Sequence, residues 1–240
     1  MVQGLQGQGH SILVSPRNAE RAALLARLPD VAIAENAEIV ATAEVVFLCL
    51  MARVVDEVLE GLPFRAGQTV LSVMVDVPLH KLRRLCAPAT DISITIPLPP
   101  IAVGGCPLPV YPASPVLESL FGDRNSVLTQ PSEVALNAHL GASALCSPIL
   151  DQILTSVDWL AGHTGNPAAA EIYIAAMIRA YLPERAVEGE LAAALAALST
   201  EGGLNATLRA AMSPAKTSLL DGLNGFHARL GLAGKNDALR

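Results

Sequence analysis

The sequence predicts an α/β protein: a mainly parallel sheet with helices between its strands, followed by an all-helical region. Two observations carry this. Up to about Gln130, short β-branched runs alternate with helical patterns, as expected of a parallel sheet with crossover helices. From Ser132 onward the chain is alanine-rich and poor in β-branched runs. The boundary is expected near residue 130, giving domains 1–130 and 131–240.

Strands are expected at 12–15, 31–34, 45–50, 69–73 and 92–96. The run Val45-Val46-Phe47-Leu48-Cys49-Leu50 is apolar throughout, which suits a strand covered on both faces. Helices are expected at 19–28, 37–42, 53–60, 78–86 and 115–121. Asn18 can cap the first, and Ser114-Pro115 is a cap followed by proline at the first helical position. The segment 97–115 is proline-rich and reads as a loop with an edge strand, because proline cannot donate inside a ladder. Residues 125–129 read as one more edge strand. Beyond them, helices are expected at 132–162, 167–181, 184–198, 204–212 and 215–230, with caps at Ser132, Asn166-Pro167 and Ser213-Pro214. The segment 135–160 is apolar on more than one face, which suits a helix buried within a domain or between subunits.

Composition narrows the function classes. Charged residues are 16% of the 240 and the formal net charge is −6. So few charges point to buried helix–helix or subunit contacts. No cluster of Lys and Arg interleaved with aromatics occurs, so nucleic-acid binding is not expected. No apolar run reaches bilayer length, and residues 1–10 lack the pattern of a signal peptide. A cytoplasmic protein without a membrane partner is expected. Cys49, Cys86, Cys106 and Cys146 are far apart and read as buried reduced thiols. The five histidines are equally scattered, so no metal site is expected.

In an open α/β sheet, ligands bind at the carboxyl ends of the strands. The first of these ends is Ser15-Pro16-Arg17-Asn18. It carries no carboxylate to repel a phosphate. Arg17 reads either as a bidentate partner for the 2′-phosphate of NADP or as an ordinary surface arginine. A second candidate is Ser199-Thr200-Glu201-Gly202-Gly203-Leu204-Asn205. Paired glycines before a helix let free N–H groups approach an anion. A plain helix end followed by a new helix start needs no function and is the better reading of these residues in isolation. Residues 1–10 carry Gly4, Gly7 and Gly9, and read as the tail of a helix and a turn. No nucleophile–base set or phosphate-loop motif stands out, which fits a reaction whose chemistry a cofactor carries.

Together these pieces resemble pyrroline-5-carboxylate reductase, in order along nearly the whole chain. Ser15-Pro16-Arg17-Asn18 resembles the family's strand-end motif for the adenosine of the cofactor. Asn36 stands where the family has an asparagine before "advvfl", and Val45-Val46-Phe47-Leu48-Cys49-Leu50 resembles that strand. Leu71-Ser72-Val73-Met74-Val75-Asp76-Val77 resembles "SvaaGv", and Ile94-Thr95-Ile96-Pro97-Leu98 resembles "RvMPN". Gly141-Ala142-Ser143-Ala144 resembles "SGSGPA", and the Ser199–Asn205 stretch resembles "SPGGtT".

The resemblance implies a Rossmann-like NADP-binding domain followed by an all-helical dimerisation domain. It implies NADPH contacts at Ser15, Arg17, Asn18, Asn36, Leu50 and Met51. It implies substrate contacts at Ser143, Gly202 and Gly203, and an imine partner at Asn205 or Thr200. The substrate would be a small cyclic imino acid, the product proline, and the partner a second copy of the chain. The departures are Met51-Ala52 for "KP", Asp76 for a glycine, Leu98 for an asparagine, and Glu201 and Asn205 within the substrate loop. Residues 1–10 correspond to the end of the family's first helix. The first strand and its G-x-G-x-x-G turn therefore have no counterpart here, and the sheet is expected to lack its first strand. Two further readings stand beside the reductase: a dimeric homologue without catalysis, and a reductase of a different imine or carbonyl.

Overall fold

A computed structural model describes residues 1–183 and 187–232. It divides into two compact units, Met1–Leu140 with Leu230–Leu232, and Gly141–Arg229.

The first unit opens with a 3-10 turn, Val2–Leu5, and then β1 (Ile12–Val14), α1 (Ala19–Leu25), β2 (Val31–Ile33), α2 (Asn36–Thr42) and β3 (Val45–Leu48). A second 3-10 turn, Ala52–Val54, leads into α3 (Val55–Leu59), β4 (Thr69–Ser72), α4 (Leu79–Leu85) and β5 (Asp91–Thr95). A third, Pro99–Ala102, precedes β6 (Pro107–Tyr111), α5 (Pro115–Phe121) and β7 (Ser126–Thr129). Each strand expected from the sequence is present, shortened by a residue or two except for β5, which keeps its length and starts one residue earlier. The caps also form: Asn18 accepts from Arg21 N–H, Ser114 from Leu117 N–H, and Ser132 from Ala135 N–H.

The strands do not form one sheet. β1 pairs in parallel with β2, and β3-β4-β5-β6-β7 form a separate five-stranded sheet. No described strand lies between β1 and β3. Within the larger sheet β3, β4 and β5 are parallel, β6 is antiparallel to β5, and β7 is parallel to β6. Two apolar clusters cover it. One centres on Val46, Leu48, Val70, Leu82 and Ile94, with Leu136 of the following helix. The other joins Leu71, Leu108 and Val110 to Leu117, Phe121 and Leu5. Buried Gln68 fastens α2 to the start of β4, its amide donating to the Val40 and Ala43 carbonyls at 2.8 and 2.6 Å.

β6 corrects an expectation. It carries Pro107 and Pro109 yet lies inside the sheet, not at its edge. Its even-numbered residues serve β7: Ser126 and Gln130 N–H donate to the Cys106 and Val110 carbonyls. The prolines alternate to the β5 side, where only Ile94–Tyr111 and Thr95–Val110 pair. There Pro109 needs no N–H. Its carbonyl accepts from Ile96 N–H at 3.2 Å and from the buried Thr95 hydroxyl at 2.9 Å.

The helical region contains α6 (Glu133–Ser143), α7 (Cys146–Thr164), α8 (Pro167–Tyr181), α9 (Glu190–Ala197), α10 (Leu204–Ala211), α11 (Ser213–Asn224) and α12 (His227–Leu230). The first unit runs ten residues past the boundary expected at 130. The reason is packing: Leu136 is fully buried in the first cluster with Leu140 against it, and the Glu133 carboxylate accepts from Leu79 N–H at the start of α4. The single helix expected at 132–162 is broken at Ala144-Leu145. Pro148 accounts for this, because its ring would clash with the carbonyl four residues earlier in a continuous helix. The stretch Glu133–Thr164, 32 residues, contains an 18-residue window with mean hydropathy 1.2, long and apolar enough by length and composition alone to span a bilayer. The stretch is two helices, however, and the first packs on the sheet.

The helix expected at 184–198 begins only at Glu190, and residues 184–186 lie outside the described ones. The helix expected at 215–230 is divided at Gly225. Asn166 caps α8 as expected, whereas Ser213 already lies inside α11 and caps nothing. All four cysteines are free. Cys86 and Cys106 are buried as expected but Cys49 and Cys146 are exposed. Burial pushes the Cys86 thiol up to about 11.

Candidate functional site

The residues expected to hold a cofactor follow the carboxyl ends of three strands. Ser15, Arg17 and Asn18 follow β1, Asn36 opens α2 after β2, and Leu50 and Met51 follow β3. The interruption of the sheet separates the first four from the last two. Arg17 is exposed, and no described residue hydrogen-bonds or ion-pairs with its guanidinium. Asn18 spends its side-chain carbonyl on the α1 cap, at 2.9 Å from Arg21 N, and keeps only its amide N–H groups. Asn36 is half-buried at the first position of α2, whose start has no side-chain cap.

Two charged side chains at this end were not singled out in the sequence. Glu35, the residue before α2, sets an exposed carboxylate at the carboxyl end of β2. It would oppose a phosphate held at Arg17. Arg53, in the turn after β3, adds an exposed cation on the other side of the interruption. The available signal was position alone, since each lies within a few residues of a strand end.

β4 ends at buried Ser72, whose hydroxyl accepts from Met74 N–H at 3.1 Å and tightens the turn. Asp76 in that turn is exposed. After β5, Leu98 is half-buried and packs against both clusters, so this end of the sheet is apolar. A cleft of about 420 Å³ lies elsewhere, lined by Gly4, Gln8, His10, Phe121, Arg124 and Asn125. Asn125 precedes β7, which runs opposite to β3, β4 and β5, and His10 precedes β1. None of the residues expected to hold the cofactor lines this cleft.

In the second unit, Thr200 to Gly203 form a turn closed by Gly203 N–H donating to the Thr200 carbonyl at 3.0 Å. Gly202 has φ +71°, a conformation that favours glycine. A Cβ on Gly203 would stand 3.1 Å from that carbonyl. Gly203 precedes α10, and no side chain caps the helix. Its first N–H groups therefore remain free to meet an anion. Thr200, Gly202 and Asn205 are exposed on this turn. Ser199 is not free, because its hydroxyl donates to the Leu195 carbonyl at 3.0 Å. Ser143, at the end of α6, lies in the same unit but apart from this loop in sequence and element. Among the described residues no group of three or more His, Cys, Asp or Glu could hold a metal ion.

Residues 1–76 match the family model described as NADP oxidoreductase, coenzyme F420-dependent. No curated protein matches the sequence. Several solved structures match the fold. A pyrroline-5-carboxylate reductase from Coxiella burnetii superposes with a TM-score of 0.77 at 16% identity, over 96% of this chain and 92% of that one. The Plasmodium falciparum pyrroline carboxylate reductase with NADP bound gives 0.72 at 12% identity, over 84% and 81%. A reductive aminase from Aspergillus terreus in complex with NADPH and ethyl-5-oxohexanoate gives 0.60 at 16% identity, over 98% and 84%.

The chain has the pyrroline-5-carboxylate reductase fold.

The resemblance read from the sequence motifs and this fold agree, and the reductive aminase shares the architecture. Arg17 and the uncapped helix start at Gly203 both carry donors with no described partner. The residues fit NADP in part. Arg17 suits the 2′-phosphate, but no described strand and glycine turn between β1 and β3 offers N–H groups to the pyrophosphate.

Proposed function

We propose that the protein is an NADPH-dependent reductase of a C=N bond, acting on a cyclic imino acid such as the precursor of proline. The exposed, unpartnered Arg17 directly after β1 carries this reading, in a fold whose solved examples include enzymes with NADP and NADPH. Bound NADPH would supply the hydride. The chain would supply the rest. Ser15, Arg17 and Asn18 hold the adenosine end, Arg17 by a bidentate contact to the phosphate. Asn36, Leu50 and Met51 line the path beyond it. The Gly202-Gly203 turn and the free N–H groups of α10 hold the substrate carboxylate, with Ser143 beside the substrate. Asn205 or Thr200 hydrogen-bonds the imine nitrogen, keeping it oriented as the carbon is reduced.

The reading includes a second copy of the chain and a cytoplasmic setting. Support for the copy lies on α7 and α8, where Trp159, Ile172 and Tyr173 are 66, 72 and 60% exposed, more apolar surface than a lone helical unit ordinarily shows.

Fluorescence titration with NADPH, and NADH beside it, tests the reading. Saturable binding of NADPH is expected. Arg17→Ala should weaken NADPH about tenfold or more, the worth of a charged hydrogen bond, and leave NADH nearly unchanged. Equal losses for both would take Arg17 out of the phosphate site. No binding up to millimolar cofactor would favour the second reading, a dimeric homologue without catalysis. The observations on its side are the interrupted sheet and the carboxylates of Glu35 and Glu201. The likeness to the reductive aminase favours a third, a reductase of another imine, in which Glu201 meets a cationic group.

A further inference from the structure

The cleft of about 420 Å³ contains none of the residues expected to meet the cofactor, and its floor and rim differ in character. Its floor is buried and consists of Gly4, Phe121 and Asn125. Gly4 lets the Val2–Leu5 turn close on α5: a Cβ there would stand 3.1 Å from both Phe121 Cε1 and the Ile101 carbonyl. The Phe121 ring is held edge to face against Phe47 at 6.3 Å. The Asn125 side chain is already engaged. Its carbonyl accepts from Cys106 N–H at 3.1 Å and its amide donates to the Phe121 carbonyl at 3.2 Å. What the floor offers a ligand is therefore mainly apolar surface.

The rim carries His10, Asp123 and Arg124, all exposed. Asp123 and Arg124 are consecutive in the turn after α5. One Arg124 nitrogen donates to the Val103 carbonyl at 3.1 Å, which leaves the other guanidinium N–H groups unspent. Gln8, also on the rim, donates to the Gly4 carbonyl at 2.9 Å and keeps its side-chain oxygen. Among the described residues Asp123 and His10 have no hydrogen-bond or ion-pair partner, and ion pairs form only at Asp56. A carboxylate and a guanidinium thus line one cleft without pairing. An exposed ion pair is worth at most about 1 kcal/mol, so the tie to Val103 is enough to keep Arg124 from Asp123. One cleft is left with an acceptor set and a donor set that the chain does not satisfy.

We propose that this cleft binds a small zwitterion, an α-amino acid with an apolar side chain. Arg124 donates to the carboxylate in a charge-assisted contact. Asp123 and the Gln8 oxygen accept from the ammonium group, which has three donors to share. The apolar side chain covers Phe121. Charge argues against the simpler classes. An anion such as a phosphate is drawn to Arg124 but repelled by Asp123, and an amine meets the reverse. An uncharged apolar ligand would cover both charges without replacing their water. Size agrees as well, since sites for small molecules run from about 300 to 1,000 Å³ and this cleft lies near the lower end.

The site needs no cofactor and no reductase chemistry, so its failure is separable from failure of the reductase reading. The test titrates the full chain with L-leucine and follows backbone amides by NMR. Two probes run in parallel: 3-methylbutylamine, which is leucine without its carboxylate, and 4-methylpentanoate, which is leucine without its ammonium group. Leucine should shift the amides of Gln8, His10, Asp123 and Arg124 saturably. It should bind about tenfold or more tightly than either probe, the worth of a charged hydrogen bond. Asp123→Asn should remove most of its advantage over 4-methylpentanoate, and Arg124→Gln most of its advantage over 3-methylbutylamine. Both side chains are exposed, so the variants should keep the amide spectrum of the folded chain elsewhere. No saturable shift at tens of millimolar leucine, or either probe binding as tightly as leucine, overturns the proposal. Unchanged leucine affinity in both variants overturns it too. Displacement of leucine by NADPH would give the cleft to the cofactor, which also overturns a separate site.

Discussion

The two sheets of the first unit are built from the same kind of β–α–β repeat, yet they bury their strands differently. In the five-stranded sheet all four residues of β4 are buried, with Val70 and Leu71 at 0% exposure. In the two-stranded sheet β1 is half-buried throughout, and Ile33 of β2 is 45% exposed. Propensity does not explain this, since Ile12-Leu13-Val14 is as apolar as Thr69-Val70-Leu71. Neighbours explain it. β4 has strands on both edges and helices on both faces, whereas β1 has one partner and one open edge. A strand's burial belongs to its place in the sheet more than to its own sequence.

Core substitutions should show the largest difference. Leu71→Ala should cost about 3 kcal/mol, because the cavity is closed in on all sides. Leu13→Ala should cost about 1 kcal/mol, since the side chain is half in water already. Urea denaturation of the two variants measures both, and equal losses would mean that β1 is as well packed as β4. Loss of NADPH affinity in Arg17→Ala comes next, and it acts only on the two-stranded side.

The smallest effect lies at the surface of the larger sheet. Asp56 accepts from Lys81 at 2.6 Å and from Arg84 at 3.4 Å, joining α3 to α4. The Lys81 hydrogen bond holds the Asp56 carboxyl below its ordinary value of 3.8. A lowered carboxyl stabilises the fold fully above that ordinary value and loses its effect as pH falls through the lowered one. Asp56→Asn should therefore cost a small fall in Tm at neutral pH, and the difference should vanish in acid or high salt. A difference that grows in acid would break the account.

Much of this was legible in the sequence. The strands of the larger sheet announce themselves as apolar runs, and the caps at Asn18, Ser114, Ser132 and Asn166 follow from residue type. β6 was not legible as an inner strand, because the cost of its prolines depends on which neighbour each ring nitrogen faces. The break before α7 was legible in principle, since Pro148 forbids a helical carbonyl at Ala144. At the candidate site, Arg17 and the Gly202-Gly203 turn could be read from position and residue type. Glu35 and Arg53 became visible only once the strand ends were fixed. That Ser199 is tied to Leu195 could not be read, because its hydroxyl had several backbone acceptors within reach.

The prolines of β6 have a consequence for how the sheet opens. Only two residue pairs join β5 to β6, against four joining β6 to β7 and four joining β4 to β5. The β5–β6 boundary is a seam, held more by buried side chains and the Thr95 hydroxyl than by the ladder. Subglobal opening follows the weakest boundary. The outer pair, β6 and β7, should detach as one unit while β3, β4 and β5 stay closed. In native-state hydrogen exchange, Leu108, Val110 and Leu128 would then share one opening free energy below that of Val70 and Ile92.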